Sequence, residues 1–331
     1  MGYALKETKY RYRASTINGE WQKGALTEDK NISIHEGSNV FHYGQALFEG
    51  LKAYKTKDGR VVLFRPELNF TRMNDGLKRL VGPEIPRELF FDAIEAVVKA
   101  NVDDIPEYGT GQSLYIRPFV IGHGMNLGVK PSVEYLFSVF CAPVGTYFKG
   151  GLAALDFVTT SYDRAAPNGL GQVKAAGNYA ASLLPRELAK KAGYAGVIYL
   201  DPTTHTKIDE VGAANFFAVT HDNKVITPKS SSILPSITRR SILYLAEHYL
   251  KLETEEREVF IDNISEFKEA GACGTAAIIT PIKSITHQGH QHQFGDGDVG
   301  GTIKKLYDLL LGIYYGDIEA PKGWLYPITL D

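Results

Sequence analysis

The chain has 331 residues, 44% hydrophobic and 22% charged, with a formal net charge of −2. That length fits two domains or one large α/β unit with a sizeable core, and the near-neutral charge argues against nucleic acid or an anionic membrane as partner. Two cysteines, Cys141 and Cys273, make neither a metal-ligand spacing nor a disulfide framework, which fits a reducing cytoplasm. The polar stretch Met1–Lys9 lacks the apolar region of a signal peptide, and no apolar run approaches a membrane span.

In chain order, the first third reads as α+β. Tyr10 to Thr16 alternates as a strand, and Asn18-Gly19 signals a hairpin. Arg60 to Phe64 predicts a strand, and Pro66 opens a helix carrying Phe70, Met73, Leu77 and Leu80. A second helix starts near Pro86. Strands follow at Ser113 to Ile121 and Tyr135 to Cys141, with a glycine-rich loop, His123 to Val133, between them; a loop of that length in a compact domain is often functional. The character changes around Pro143 to Gly151, a candidate domain boundary. Beyond it, strands are expected near Ala154–Thr160, Gly196–Leu200 and Asn215–Thr220. Helices are expected over Tyr179–Ala192, Ile237–Leu250 and Gly301–Tyr314, with Pro185 kinking or interrupting the first.

The most informative stretch is Gly169 to Tyr179, in which Lys174 stands among Gly169, Gly171, Ala175, Ala176 and Gly177. Small neighbours let a bulky group approach the backbone. A lysine kept from water and counter-charge deprotonates readily and attacks carbonyls. Such a lysine needs an electron sink, of which pyridoxal phosphate is the usual one. That cofactor requires a carboxylate at its ring nitrogen, for which Glu210, ahead of a small-residue turn and an apolar strand, is the candidate. It also requires an anion site. Ser236 reads as the N-cap of a helix whose Ile237 and Thr238 amides would face an anion; the turn Ala272 to Ala277 and Arg72 could add donors and charge.

Two other patterns point elsewhere. Gly295 to Gly300 matches G-x-G-x-x-G, yet too little chain follows for a dinucleotide domain, and Asp296 and Asp298 would repel a pyrophosphate; a helix-entry turn capped by Asp is the better reading. His287, His290 and His292 lie in a polar Gln/Gly stretch, read as a solvated hairpin rather than a metal site.

Seven segments occur in order: Phe41 to Tyr54, Leu63 to Met73, Leu114 to Pro118, the Lys174 stretch, Glu210-Val-Gly212, Leu234 to Arg239 and Gly274 to Ala277. Together they resemble the branched-chain amino-acid aminotransferases of the class IV pyridoxal-phosphate family, from about Trp21 to Trp324. The resemblance implies a fold type IV, D-amino-acid-aminotransferase-like enzyme of mixed α+β and α/β character. It would have a small N-terminal α/β domain, 1–145 including loop 123–133, and a larger cofactor-binding domain, 146–331, with a mixed sheet or barrel. It implies that Lys174 carries pyridoxal 5′-phosphate, that Tyr179 bonds the cofactor's phenolic oxygen and Glu210 its ring nitrogen. Arg72, Ile237, Thr238 and Thr275 would hold the phosphate. Tyr43, Phe48, Tyr115, Tyr147 and the loop Leu127 to Val129 would line the side-chain pocket, with Tyr43 and the loop coming from a partner subunit of a homodimer or larger homo-oligomer. Thr275 and Ala276 would take the substrate α-carboxylate, and Arg117 the distal carboxylate of glutamate.

The reaction so implied moves the amino group of leucine, isoleucine or valine to 2-oxoglutarate. Three departures from the family pattern stand out: Ala213 where threonine or serine is common, Ser236 where glycine is common, and Ala277 and Thr280 where some relatives carry a redox pair of cysteines. The rivals are a D-amino-acid transaminase or an aminodeoxychorismate lyase of the same fold, a nicotinamide dehydrogenase, and a non-catalytic binding protein.

Overall fold

The computed structural model describes residues 5–145 and 151–330. The chain forms two compact units: Met1–Thr146 with Val173–Gly177 and Gly312–Asp331, and Tyr147–Gln172 with Asn178–Leu311.

The first unit is built on an antiparallel sheet. Strand β1 (Arg11–Ile17) turns at Asn18 and Gly19, with φ of 53° and 82°, into β2 (Glu20–Trp21). Positive φ at both turn positions is what the Asn-Gly pair supplies most readily. Next come β3 (Ala25–Thr27), helix α1 (Asn39–Tyr43), β4 (Ala46–Phe48), β5 (Leu51–Lys55) and β6 (Val61–Phe64). Helices α2 (Pro66–Arg79) and α3 (Arg87–Ala100) and the long strands β7 (Ser113–Gly122) and β8 (Tyr135–Val144) follow. The sheet order is the C-terminal strand Leu325–Ile328, then β6, β5, β7, β8, β1 and β2, with β3 on β1 and β4 on β7. Pro66 sits in the first turn of α2, where its missing N–H costs nothing. Helix α3 buries Phe90, Ile94, Val97 and Val98, and the Phe90 ring stacks on Phe137 of β8 with centroids 6.2 Å apart.

The second unit is a closed barrel. After β9 (Leu155–Thr159) come α4 (Ala176–Ala180), α5 (Leu183–Lys191), β10 (Gly196–Leu200), β11 (Ile208–Val211), β12 (Ala214–Thr220) and β13 (Val225–Pro228). Then follow α6 (Ile237–His248), β14 (Thr254–Arg257), β15 (Phe267–Gly274), β16 (Ile278–His287), β17 (His290–Gln293) and α7 (Gly301–Tyr314). Strands run β11-β10-β9-β16-β15-β12, and β11 pairs again with β12, so six strands close on themselves. Strand β9 is parallel to both neighbours and the other barrel pairs are antiparallel, which makes the sheet mixed. Alternation along β10 sends Ile198 and Leu200 into the main core with Phe157, Phe216 and Phe267. The opposite face, Val197 and Tyr199, packs with Ala189 of α5.

Three local expectations are refined. The helix expected over Tyr179–Ala192 is two helices, and the break falls at Ala181 and Ser182 rather than at Pro185. Pro185 lies in the first turn of α5, a position that needs no amide partner. The turn at Gly295 to Gly300 does lead into a helix, but its cap is remote: both Glu269 carboxylate oxygens accept from Thr302 N, and Oε2 also accepts from Ile303 N. Asp296 accepts from Asp298 N within its own turn and, among the described residues, from no amide of the helix. The histidine stretch is the β16–β17 hairpin, turning at Gln288 and Gly289 with φ of 50° and 81°.

Candidate active site

In the first unit the residues gather around Lys174. Its segment is stitched to β4: Phe48 N donates to Lys174 O at 3.2 Å, and Ala175 bridges Leu47. Gly76 of α2 leaves room here, since a Cβ on it would stand 3.0 Å from a Leu47 methyl and 3.3 Å from Val173 Cγ1. Lys174 Nζ lies 4.8 Å from the centre of the Phe48 ring. Desolvation first, and then the positive charge of Arg72, hold its pKa down at about 8 against the opposing pull of Glu49. The sequence context alone offered no acid to this lysine; the fold brings one from a distant segment.

That acid, Glu49, is buried and accepts from Arg72 Nε at 2.7 Å and Arg72 Nη2 at 2.8 Å. Strand β7 turns Tyr115 and Arg117 to one face by its two-residue period. Arg117 Cζ sits 4.7 Å from the Phe48 ring centre and 5.2 Å from that of Tyr115, and Nη2 donates to Tyr115 Oη at 3.2 Å. The buried Nε of Arg117 has no hydrogen-bond partner among the described residues. Gly50 is what admits the Tyr115 hydroxyl, because a Cβ there would lie 2.0 Å from Oη. Of the remaining candidates, Tyr43 and Leu127 touch each other. The Tyr43 hydroxyl donates to the Leu127 carbonyl, while Leu127 and Val129 are 94% and 88% exposed. Tyr147 lies outside the described residues.

In the second unit the centre is Glu210 on β11, 3% exposed. Its Oε1 accepts from Leu234 N at 2.7 Å and Asn215 Nδ2 at 3.0 Å, and Arg164 Nε stands 3.1 Å from Oε2. Arg164 also donates from Nη2 to the carbonyls of Gly171, at 2.9 Å, and Ser232. Gly171 is required there, since a Cβ would come within 2.2 Å of Ser232 O. These contacts leave Glu210 a buried hydrogen-bond acceptor.

Ser236 caps α6 by accepting from Arg239 N at 3.1 Å, so the serine that departs from the family glycine has a structural use. Ile237 and Thr238 follow in the first turn, where amides lack intrahelical acceptors. Thr275 and Ala276 form the turn between β15 and β16, which ends on Ile278 at φ 65°, a strained value for a β-branched residue. Tyr179 lies on α4 and is half-buried. Cys141 and Cys273 are buried, with burial pushing their thiols up to about 11 and about 12.

Each unit holds groups that suit pyridoxal phosphate: the first a desolvated lysine, the second a buried carboxylate suited to a protonated ring nitrogen and a helix start suited to phosphate. Sequence reasoning passed over Glu49, Asn69, Arg164 and Asn215. Glu49 stood inside a segment already singled out, while Arg164 carries no periodic or spacing signal.

The family model for amino-transferase class IV matches residues 46–285. The chain belongs to that family and is an enzyme of the aminotransferase class. It is 56% identical over 334 residues to a branched-chain-amino-acid aminotransferase of Haemophilus influenzae, covering 99% of this chain and 97% of the relative. Among solved structures, the branched-chain amino acid aminotransferase of Escherichia coli superposes with a TM-score of 0.80 at 29% identity, over 98% of this chain and 100% of that one. The corresponding enzyme of Thermobaculum terrenum, solved in its pyridoxal-phosphate holo form, gives 0.81 at 26%, over 98% and 99%. The expected fold type IV architecture is thereby established. No helix among the described residues is long and apolar enough to cross a membrane.

Proposed function

We propose that the chain transfers the amino group of leucine, isoleucine or valine to 2-oxoglutarate, giving branched 2-oxo acids and glutamate, with pyridoxal 5′-phosphate as cofactor. The observation that carries this reading is Lys174, its ammonium desolvated to a pKa of about 8 beside an aromatic ring and a buried arginine–glutamate pair. The names of the relatives supply the substrate class.

Pyridoxal phosphate would supply the carbonyl that takes up the amine and the ring that accepts electrons from the substrate. Lys174 serves as its attachment point and then moves the substrate proton from Cα, as base and afterwards as acid. With a pKa of about 8, the lysine gives up and takes back its proton near physiological pH, which suits both roles. Glu210, which accepts from Leu234 N and Asn215 Nδ2, would pair with the ring nitrogen, and Tyr179 would bond the phenolic oxygen. Arg72, the amides of Ile237 and Thr238, and Thr275 hold the phosphate, and Thr275 and Ala276 take the α-carboxylate.

Phe48 and Tyr115 would present their rings to the branched side chain. Arg117, with a spare buried donor, receives the distal carboxylate of glutamate. Tyr43, Leu127 and Val129 act on the site of a second subunit. Their exposure in the single chain supports a homodimer. The two free cysteines, Cys141 and Cys273, fit a cytoplasmic enzyme.

Assays of leucine, isoleucine, valine and D-alanine with 2-oxoglutarate test the substrate class. The three branched L-amino acids are expected to turn over at least about a hundredfold faster than D-alanine in kcat/KM. Preferred turnover of D-alanine would overturn the reading in favour of a D-specific enzyme.

A further inference from the structure

Glu49 touches neither substrate nor cofactor in the reading above, yet its side chain is 1% exposed. Besides Arg72 Nε on Oε1, its Oε2 accepts from Arg72 Nη2, from Asn69 Nδ2 at 2.7 Å and from Gly50 N at 3.2 Å. Asn69 and Arg72 are three residues apart on α2, so one helix face presents both donors to the carboxylate. Gly50 belongs to the link between β4 and β5.

Burying a carboxylate is costly, and well-packed apolar residues often stabilise a fold as well as a buried ion pair does. Stability alone is therefore a poor reason for a charge at this position. Its surroundings give a better one. Lys174 lies within electrostatic reach of Arg72 from α2 and of Tyr115 and Arg117 from β7, and Glu49 is the carboxylate that opposes the two guanidinium charges. Without it, a lysine and two arginines would share one desolvated region.

Resting on the reading that Lys174 attaches the cofactor and Arg72 binds its phosphate, we propose that Glu49 is a positioning residue: it locks the plane of the Arg72 guanidinium and balances the positive charge around Lys174. A guanidinium held by a two-point carboxylate contact loses its rotational freedom, so its remaining donors are fixed before a phosphate arrives. The pair is close to neutral as a unit, so Arg72 contributes directed hydrogen bonds more than net charge.

The test compares wild-type holoenzyme with Glu49→Gln, which keeps an acceptor but drops the charge, and Glu49→Ala, which drops both. In Glu49→Gln the midpoint of the pH titration of the cofactor's absorbance moves to lower pH, because the anion that favoured a protonated nitrogen has gone. In Glu49→Ala cofactor retention on dialysis weakens as well, with a dissociation constant raised about tenfold. A role in folding alone lowers the melting temperature without moving the titration midpoint, so an unchanged midpoint in Glu49→Gln overturns the proposal even if Glu49→Ala fails to fold. Failure of the underlying reading is separately visible, as a wild-type protein that gains no absorbance band with pyridoxal phosphate.

Discussion

Lys174 draws its character from contacts that its own segment does not contain. Its pKa lies at about 8 against an ordinary 10.5, with desolvation the leading cause. A lowered lysine pKa means that the folded protein binds this proton more weakly than the unfolded chain does. The site therefore costs stability below about 8, and the cost fades as pH rises from there through 10.5. Labelling of cofactor-free protein by an amine-reactive reagent, read by peptide mass spectrometry, is expected to find Lys174 half-reacted well below the ordinary surface lysines. Labelling with the same midpoint as those lysines would show that desolvation does not act on it. Arg117→Ala is expected to raise KM for glutamate and 2-oxoglutarate at least about tenfold while sparing leucine, since only the dicarboxylates have a second charge to lose. Equal loss for leucine would assign Arg117 to packing. Lys174 and Glu210 were singled out in the sequence by their neighbours and Arg117 through the family resemblance, each from a recognisable motif. Glu49 and Arg164 were not, because what singles them out is a partner far away along the chain.

At the scale of elements, legibility followed the strength of the local pattern. Helix α3 and strands β7 and β8 have long apolar repeats and appeared close to their expected bounds, as did α7. Short strands such as β4, β5 and β11 escaped because three to five residues carry no decisive period. The end of β10 shows how a turn can depend on one side chain. Asp201 accepts from the amides of Thr204, Thr206 and Lys207. Burial pushes its carboxyl up, but these bonds win and hold its pKa at about 2 against 3.8. The stabilisation is complete above 3.8 and is lost as pH falls through about 2. Asp201→Ala is therefore expected to cost about 1–3 kcal/mol in urea unfolding near neutral pH, and the gap to wild type should shrink towards about pH 2. A gap that does not depend on pH would place the effect outside the carboxylate. Gly171→Ala drives a Cβ against the Ser232 carbonyl and is expected to destabilise by about 1–3 kcal/mol.

For the whole molecule, two features lay beyond sequence patterns. Closure of six strands into a barrel depends on the pairing of β11 with β12, which no stretch of residues announces. The inclusion of Val173–Gly177 in the first unit, although its neighbours on both sides belong to the second, is likewise a matter of contacts and not of composition. The family resemblance conveyed the fold where periodicity could not. The proposed homodimer belongs to this scale too. Leu127→Asp, at a side chain 94% exposed in the single chain, is expected to weaken the dimer in sedimentation and to lower activity with it. A dimer of unchanged strength would remove the loop from the interface.

The central claim is that Lys174 both attaches the cofactor and moves the substrate's Cα proton. A spectrum reports the first role only, so the direct measurement is exchange of the Cα proton of leucine with deuterated water, followed by NMR. The wild-type holoenzyme should wash that proton out, and Lys174→Ala with cofactor added should do so at least about a hundredfold more slowly. Exchange at the wild-type rate in Lys174→Ala would contradict the account.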